Sequence, residues 1–377
     1  MAADIRLALE PITSLAPLET LWRKLEAGSG ASFFVSWTWI GTWLRCLPET
    51  IRPQLLIATR NGDAIAAAVL VARRERRRGV LNVRQLHFNS TGDPRLDCIM
   101  IEHNGFVARA EENQDIWAAF LRWFAKHAEA DELVVPGMVE GTMGGMGGDA
   151  SLLHRSVRMP GFACDLAQGG REALLARLSA NARQQLRRSL RDCETLGPLR
   201  IETAPDTAAA LAWLAELKVL HIASWTRRGH PHAFRRAFFE IFHRALIEAG
   251  TTNGRVRLRR VSAGISVLGY LYDFRDGERV YAYQSGFGGQ HTRLRPGYVC
   301  HMLAMEQDAR EGARSNDFLG GDNRLKRSLG NHIYTLGRHR FGHRTAGLQL
   351  EAAAIHLVSG LRIGGGSPHS PGRGKPI

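Results

Sequence analysis

The spacing of apolar and polar residues divides the chain into helical and extended stretches. It predicts helices over 18–27, 114–128, 172–195, 206–223, 234–249 and 297–310, with a further one over 348–361. It predicts strands over 54–60, 64–73, 83–88, 98–102, 132–135, 162–166, 199–203, 256–262, 266–274, 279–287, 316–319 and 331–341. Asn61-Gly62-Asp63, Ala263-Gly264 and Asp276-Gly277 stand between strands and read as hairpin turns. Phe33, Phe34, Trp37, Trp39 and Trp43 crowd one helical segment, the pattern of a helix packed on a sheet. The basic run from Arg73 to Arg78 reads as the solvated tip of a hairpin. Gly141 to Gly148 has no Gly-Lys-Ser/Thr and reads as a connection between domains. From Gly364 onward Gly, Pro and Ser dominate, which predicts a disordered tail.

A length of 377 residues suits two domains, placed at 1–150 and 151–363, with the tail over 364–377. The net charge of +14 predicts a liking for anions without naming one. Cys46, Cys98, Cys164, Cys193 and Cys300 are scattered and never form Cys-x-x-Cys, which argues against a disulfide framework or structural zinc. The dispersed histidines give no metal pattern. The absence of an apolar leader and of a membrane-length apolar run leads to the expectation of a cytoplasmic protein, with peripheral membrane contact left open.

The most informative corner is Arg279–Phe287 followed by Arg293-Leu294-Arg295-Pro296-Gly297-Tyr298. A strand there runs into a basic turn and then a helix. Pro296 suits a first helical position, Gly297 permits close backbone approach, and the first-turn amides with the helix dipole suit a diphosphate. Arg293 and Arg295 add charge-assisted donors. A plain strand-to-helix turn with solvated arginines is the alternative reading. Strict alternation along this strand puts Tyr281, Tyr283 and Ser285 on one side and Ala282, Gln284 and Gly286 on the other.

Four motifs, Asn181–Arg188, Tyr281–Phe287, Arg295-Pro296-Gly297, and Asp317-Phe318-Leu319-Gly320-Gly321-Asp322 followed by Lys326, together resemble the Gcn5-related N-acetyltransferase (GNAT) superfamily. More narrowly they resemble the bacterial cellulose-biosynthesis (CelD-like) acetyltransferase group, related to the Fem aminoacyltransferases. The resemblance covers the second half of the chain, and the first half resembles a degenerate first copy. It implies an α/β fold of tandem GNAT-like lobes, each a mixed, mostly antiparallel sheet flanked by helices. It also implies acyl-CoA (acetyl-CoA) as co-substrate without a metal, and a small-molecule amine acceptor such as a nucleotide sugar or another envelope or polysaccharide precursor. The sequence departs from the group at Leu325, where many relatives have Tyr, and in a phosphate loop holding one glycine.

Acyl transfer to an amine needs a proton acceptor, a polarised carbonyl and a protonated leaving thiol. Asp322 is the candidate base or acceptor-orienting residue, Lys326 lies one helical turn on, and Tyr283 is a third catalytic candidate. Gln284, Ser285, Gly286 and Phe287 offer main-chain amides to an oxyanion, and Arg293, Arg295, Gly297 and Tyr298 hold the donor. A simple helix cap is the other reading of Asp322. His301 is an outside candidate, and Tyr283, Trp225 and His221 are candidates to line an acceptor pocket. Arg183, Arg187 and Arg191 share a helix face and suit a 3′-phosphate or tRNA. The competing readings are a Fem-like transferase using aminoacyl-tRNA and a catalytically dead polyanion-binding or scaffold protein.

Overall fold

The computed structural model describes residues 5–77, 79, 81–144, 151–166 and 170–353, the side chains at 290–292 excepted. The strands are β1 (Arg6–Pro11), β2 (Pro53–Arg60), β3 (Asp63–Arg77), β4 (Leu81–Phe88), β5 (Val107–Ala108), β6 (Glu132–Val139), β7 (Leu152–Asp165), β8 (Leu199–Thr203), β9 (Val256–Ala263), β10 (Ser266–Asp276), β11 (Arg279–Phe287), β12 (Ser315–Gly320) and β13 (His332–His343). The helices are α1 (Leu15–Glu26), α2 (Trp37–Cys46), α3 (Asn113–His127), α4 (Gly170–Arg177), α5 (Ala180–Glu194), α6 (Thr207–Arg227), α7 (Ala237–Gly250), α8 (Pro296–Arg310) and α9 (Arg324–Leu329). Residues 346–353 are helical as well.

One continuous sheet runs β1-β2-β3-β4-β6-β13-β7-β12-β11-β10-β9-β8, with β5 beside β3. Most neighbours are antiparallel; β4·β6 and β11·β12 are parallel. The fold class is therefore the expected one, mixed α/β with helices on the sheet. Strands from the first half of the chain make one wing, and β7 to β12 make the other. The last strand, β13, lies between β6 and β7 and joins the wings. The largest core, with Trp22, Trp37, Trp39, Trp43, Phe242 and Phe274, packs α1, α2 and α7 against both wings. A second core fills the space under α5 and α8, and a third lies between α3 and the first wing.

Several expectations change, each for a local reason. Residues 172–195 form two helices rather than one, because Ser179 caps α5 by accepting from the Ala182 amide at 3.3 Å. Arg73 to Arg77 belong to β3 rather than to a hairpin tip, paired with β4 as far as Arg77↔Leu81, with Arg77 bonded to the buried Glu132; Arg78 lies outside the described residues. β7 starts at Leu152, well before 162, because β13 pairs along its whole length. α6 reaches Arg227, past Trp225, where a turn was expected. Residues 98–102 are not a strand but a 3₁₀ turn, Asp97–Ile99, and a loop with left-handed Met100 and His103. Part of the Gly141–Gly148 connection and the whole 364–377 tail lie outside the described residues.

Candidate active site at the parting of two strands

The sheet opens where β11 and β12 separate. They pair in parallel only at Arg279↔Ser315, Val280↔Asn316 and Tyr281↔Asp317. Two irregularities drive them apart. On β11, Tyr272↔Gln284 is followed by Asp273↔Ala282, so Tyr283 is an extra residue that sharpens the local twist. On β12, Leu319 takes a left-handed conformation, φ 64, and the register with β7 shifts before Gly320↔Gly161. The bulge also overturns the strict alternation expected along β11. Gly286 faces α6, where a Cβ would lie 2.6 Å from the Leu217 carbonyl, while Phe287 packs into the core under α8.

Asp317 sits at the apex of the opening. Its Oδ2 lies 3.0 Å from His103 Nε2, and its Oδ1 accepts from the Tyr334 hydroxyl at 2.7 Å and from the Leu319 amide at 2.8 Å. The Tyr334 hydroxyl is also 2.9 Å from His103 Nε2. Beside this trio, Glu102 Oε2 accepts the Gly320 amide at 2.7 Å, and Lys326 Nζ donates to the carbonyls of Leu319 at 3.3 Å and Gly320 at 2.5 Å. Three parts of the chain meet here: β12 with α9, β13, and a loop of the first wing.

A buried asparagine pair holds that loop. Asn89 Nδ2 donates to Asn104 Oδ1 and to the Gly105 carbonyl, each at 2.9 Å, while Asn104 Nδ2 donates to the carbonyls of Phe88 and Pro136. Ser32 Oγ fastens the His103 carbonyl at 2.9 Å. Gly161 lies under the Tyr334 ring, and a Cβ there would be 2.3 Å from Tyr334 Cζ. Gly161→Ala should therefore push Tyr334 off Asp317 and cost roughly 1–3 kcal/mol, read as a lower urea midpoint together with slower turnover.

Electrostatics separates the acids. Burial works to raise the Asp317 carboxyl, but the His103 contact, the Tyr334 hydroxyl and the Leu319 amide outweigh it and hold the group below its ordinary value. Burial raises Glu102, opposed by Lys326 and the Gly320 amide. Burial lowers Lys326, opposed by Glu102 and then Asp317. The Tyr334 hydroxyl is pushed up by burial and next by the Asp317 charge, so it remains a proton donor.

Backbone strain gathers at the same place. Among the described residues, six non-glycine positions have positive φ: Asn61, Asn89, Met100, His103, Arg295 and Leu319. Asn61 belongs to a hairpin turn. Asn89 and Met100 line a cavity of about 100 Å³ that reaches Glu102, and His103 and Leu319 belong to the polar cluster. Strain of this kind costs about 1–3 kcal/mol per residue and collects where function needs a fixed geometry.

Of the residues named from sequence, only Lys326 joins the cluster. Asp322 is exposed and paired with Arg327 at 3.2 Å, and it is not the helix cap either, since Asn323 accepts the Lys326 amide at 2.9 Å. Tyr283 packs between Phe274 and His243 and gives its hydroxyl to the Ile99 carbonyl. His301 packs on Phe318, with its pKa lowered by burial to about 3. His221 meets the Ser285 carbonyl at 3.1 Å and stacks on Trp225, away from the cavity. Sequence reading passed over Glu102, His103, Asp317 as an orienting acid, and Tyr334. The signal available was the run His103-Asn104-Gly105, residue types suited to left-handed backbone.

The donor corner has the expected order. β11 ends at Phe287, a 3₁₀ turn covers Gly289–Leu294, and α8 begins at Pro296. Past Tyr281 one edge of β11 faces the opening, with Gln284, Ser285, Gly286 and Phe287 still paired to β10 on the other side. Arg293 and Arg295 are exposed. Arg295 caps α8 in a left-handed conformation and donates to Gln185 Oε1 at 2.5 Å, which Arg324 also approaches at 3.4 Å. Gly297 owes its small size to packing: a Cβ would lie 3.1 Å from the Phe287 ring and 3.3 Å from Leu325. The Tyr298 hydroxyl lies 3.4 Å from Ser328 Oγ. On α5, Arg187 is paired with Glu172 and Arg183 reaches the Leu178 carbonyl.

Comparison with solved structures supports the architecture. FemX superposes with a TM-score of 0.59 at 13% identity, covering 85% of this chain and 95% of its own. L-PGS from Bacillus licheniformis superposes with a TM-score of 0.50 at 9% identity, covering 90% of this chain and 96% of its own. No curated protein matches by sequence. Residues 180–327, which hold α5, the β11–α8 corner, Asp317 and Lys326, match the family model described as an acetyltransferase (GNAT) domain. The match to an acetyltransferase (GNAT) domain is confined to that segment, and His103, Glu102 and Tyr334 lie outside it.

Proposed function

We propose that the protein moves an acyl group from an acyl-CoA, with acetyl-CoA the first to try, to a primary amine held at the parting of β11 and β12. The observation that carries this reading is the Asp317–His103–Tyr334 cluster with Lys326 at the point where the parallel pair opens. When bound, the thioester supplies an activated carbonyl and a thiolate leaving group. The open edge of β11 over Gln284–Phe287 offers amides to the carbonyl oxygen. The first turn of α8, with Arg295 and Arg324 gathered on Gln185, offers amides and charge to a diphosphate. Asp317 fixes the proton of His103 on Nε2, which leaves Nδ1 to take the proton the amine loses as its N–C bond forms. The C–S bond breaks in return, and the thiolate gains the equivalent proton.

Calorimetric titration with acetyl-CoA and longer acyl-CoAs should give one site per chain. Replacing both Arg295 and Arg324 by alanine should weaken it by about tenfold or more. No heat and no thermal shift across the series would reject the donor. A position in polysaccharide or envelope precursor synthesis, a nucleotide sugar as acceptor and membership of the CelD-like group remain parts of the proposal that rest on sequence resemblance.

A second reading, aminoacyl transfer from charged tRNA, draws on the FemX-like fold and on exposed Arg188 and Arg191 of α5. It requires RNA affinity that falls steeply with salt, by a slope that shrinks when those arginines are removed. Polyanion binding that survives loss of Lys326 and Arg295 would instead favour a scaffold.

A further inference from the structure

The cavity of about 100 Å³ beside the cluster has an unusual floor. β6 carries an extra residue there, at Pro136-Gly137, between the pairs Gly337↔Met138 and His339↔Val135, and Arg338 lies opposite. Gly137 has φ 66, and a Cβ on it would meet the Ile101 carbonyl at 2.0 Å, so the bulge also presses on the loop that carries Glu102. Bulges re-aim side chains. Among the described residues Arg338 is the one Lys or Arg lining the cavity, and its buried Nε has no partner there. Its charged surroundings are Arg340, Asp97, Glu75 and Glu132. The Asp97 carboxylate is occupied by Thr91 and the Gly92 amide, and Glu132 by Arg77, Arg155 and Arg340. A buried guanidinium donor left this way is costly unless a ligand completes it. Glu102 also lines the cavity and commits Oε2 to the Gly320 amide, while no group among the described residues bonds its Oε1.

We propose that this cavity is the head-group site of the acceptor and takes a compact amine with a carboxylate or phosphate two or three bonds from its nitrogen. Arg338 holds the anion and Glu102 holds the ammonium, which gives its first proton to solvent before the neutral amine attacks and His103 takes the second. A cavity of 150 Å³ admits benzene, so this one has room for roughly five heavy atoms. That suits the end of a molecule and excludes burial of a whole nucleotide sugar. The inference deepens the N-acyl transfer reading and rests on it for the fate of the amine, but the binding it predicts needs no acyl donor.

The test uses the full chain and four probes: glycine, aminomethylphosphonate as the phosphate-like anion, ethanolamine and glycinamide. Calorimetry should show at least tenfold tighter binding of one or both anionic probes than of the two that lack an anion, and the better of the two tells carboxylate from phosphate. Arg338→Gln should erase that preference and keep acyl-CoA affinity. Arg338→Lys, which restores charge without Nε, should recover part of it. Equal binding of all four probes, no binding of any, or full retention of the preference in Arg338→Gln would overturn the proposal. If the anionic probes bind while acyl-CoA does not, the donor assignment fails and the head-group site stands.

Discussion

Replacing Asp317 by asparagine should lower kcat by about 10²–10⁴-fold while leaving acyl-CoA affinity nearly unchanged. Asparagine fits the same volume and can still accept from Tyr334 and the Leu319 amide. What is lost is the anionic acceptor that fixes the His103 proton on Nε2. Asp317 is thus a positioning residue, and His103 is the group that handles the proton. His103→Gln should give a similar loss, and the double variant no more than either single one, because the two act as a unit. A structural role alone would reduce stability and donor binding together. Acyl-CoA titration of the folded variant separates the two, and unchanged turnover in Asp317→Asn would remove the dyad from the mechanism.

Lowering the pH from 7 to 5.5 should remove roughly 4 kcal/mol of folding stability, a large share of what an ordinary domain has. Five histidines, His87, His221, His243, His301 and His339, are buried. Burial is the largest cause of lowering for each, to about 3 for His87 and His301, about 4 for His221 and His339, and well below the ordinary value for His243. The folded values lie beneath the unfolded one of 6.5, so the unfolded chain binds protons first and acid favours it. The stabilisation is full above pH 6.5 and declines as pH falls toward 3 to 4. His87, His221, His301 and His339 each contribute about 1 kcal/mol of the loss between pH 7 and 5.5, and His243 adds to it in the same direction. The depressed carboxylates Asp317, Glu132 and Asp308 add a separate loss below their unfolded values near 4. Urea midpoints measured from pH 8 to 5 would show the decline, and a flat profile across pH 6 would contradict it.

The second wing was readable because its hairpins are local. Period-two patterning over β9, β10 and β11, with Ala263-Gly264 and Asp276-Gly277 between them, needs no distant information. Pro296 likewise marks the start of α8 by its own chemistry. The site was far less legible. Residues 98–102 are a short apolar run that reads like a strand, yet Asn89, Asn104 and the Gly137 bulge impose left-handed turns that only the tertiary contacts explain. Asp317 and Asp322 share one short motif. Asp317 is taken inward by its register with Tyr281, and Asp322 falls just past the strand, where solvent and Arg327 claim it. Tyr283 stays on the core face with Tyr281, and the extra residue in β11 breaks the alternation only beyond it, so that Gly286 turns toward α6.

β13 closes the middle of the sheet, although the ribosome delivers it after every other strand. Until His332 to His343 emerges, β6 and β7 each expose a long edge able to pair with a neighbouring chain. Nascent copies released early, or stalled near Leu329, should therefore be the aggregation-prone species. Tyr334 arrives on that same strand, so an active centre cannot form in them and premature chemistry is excluded.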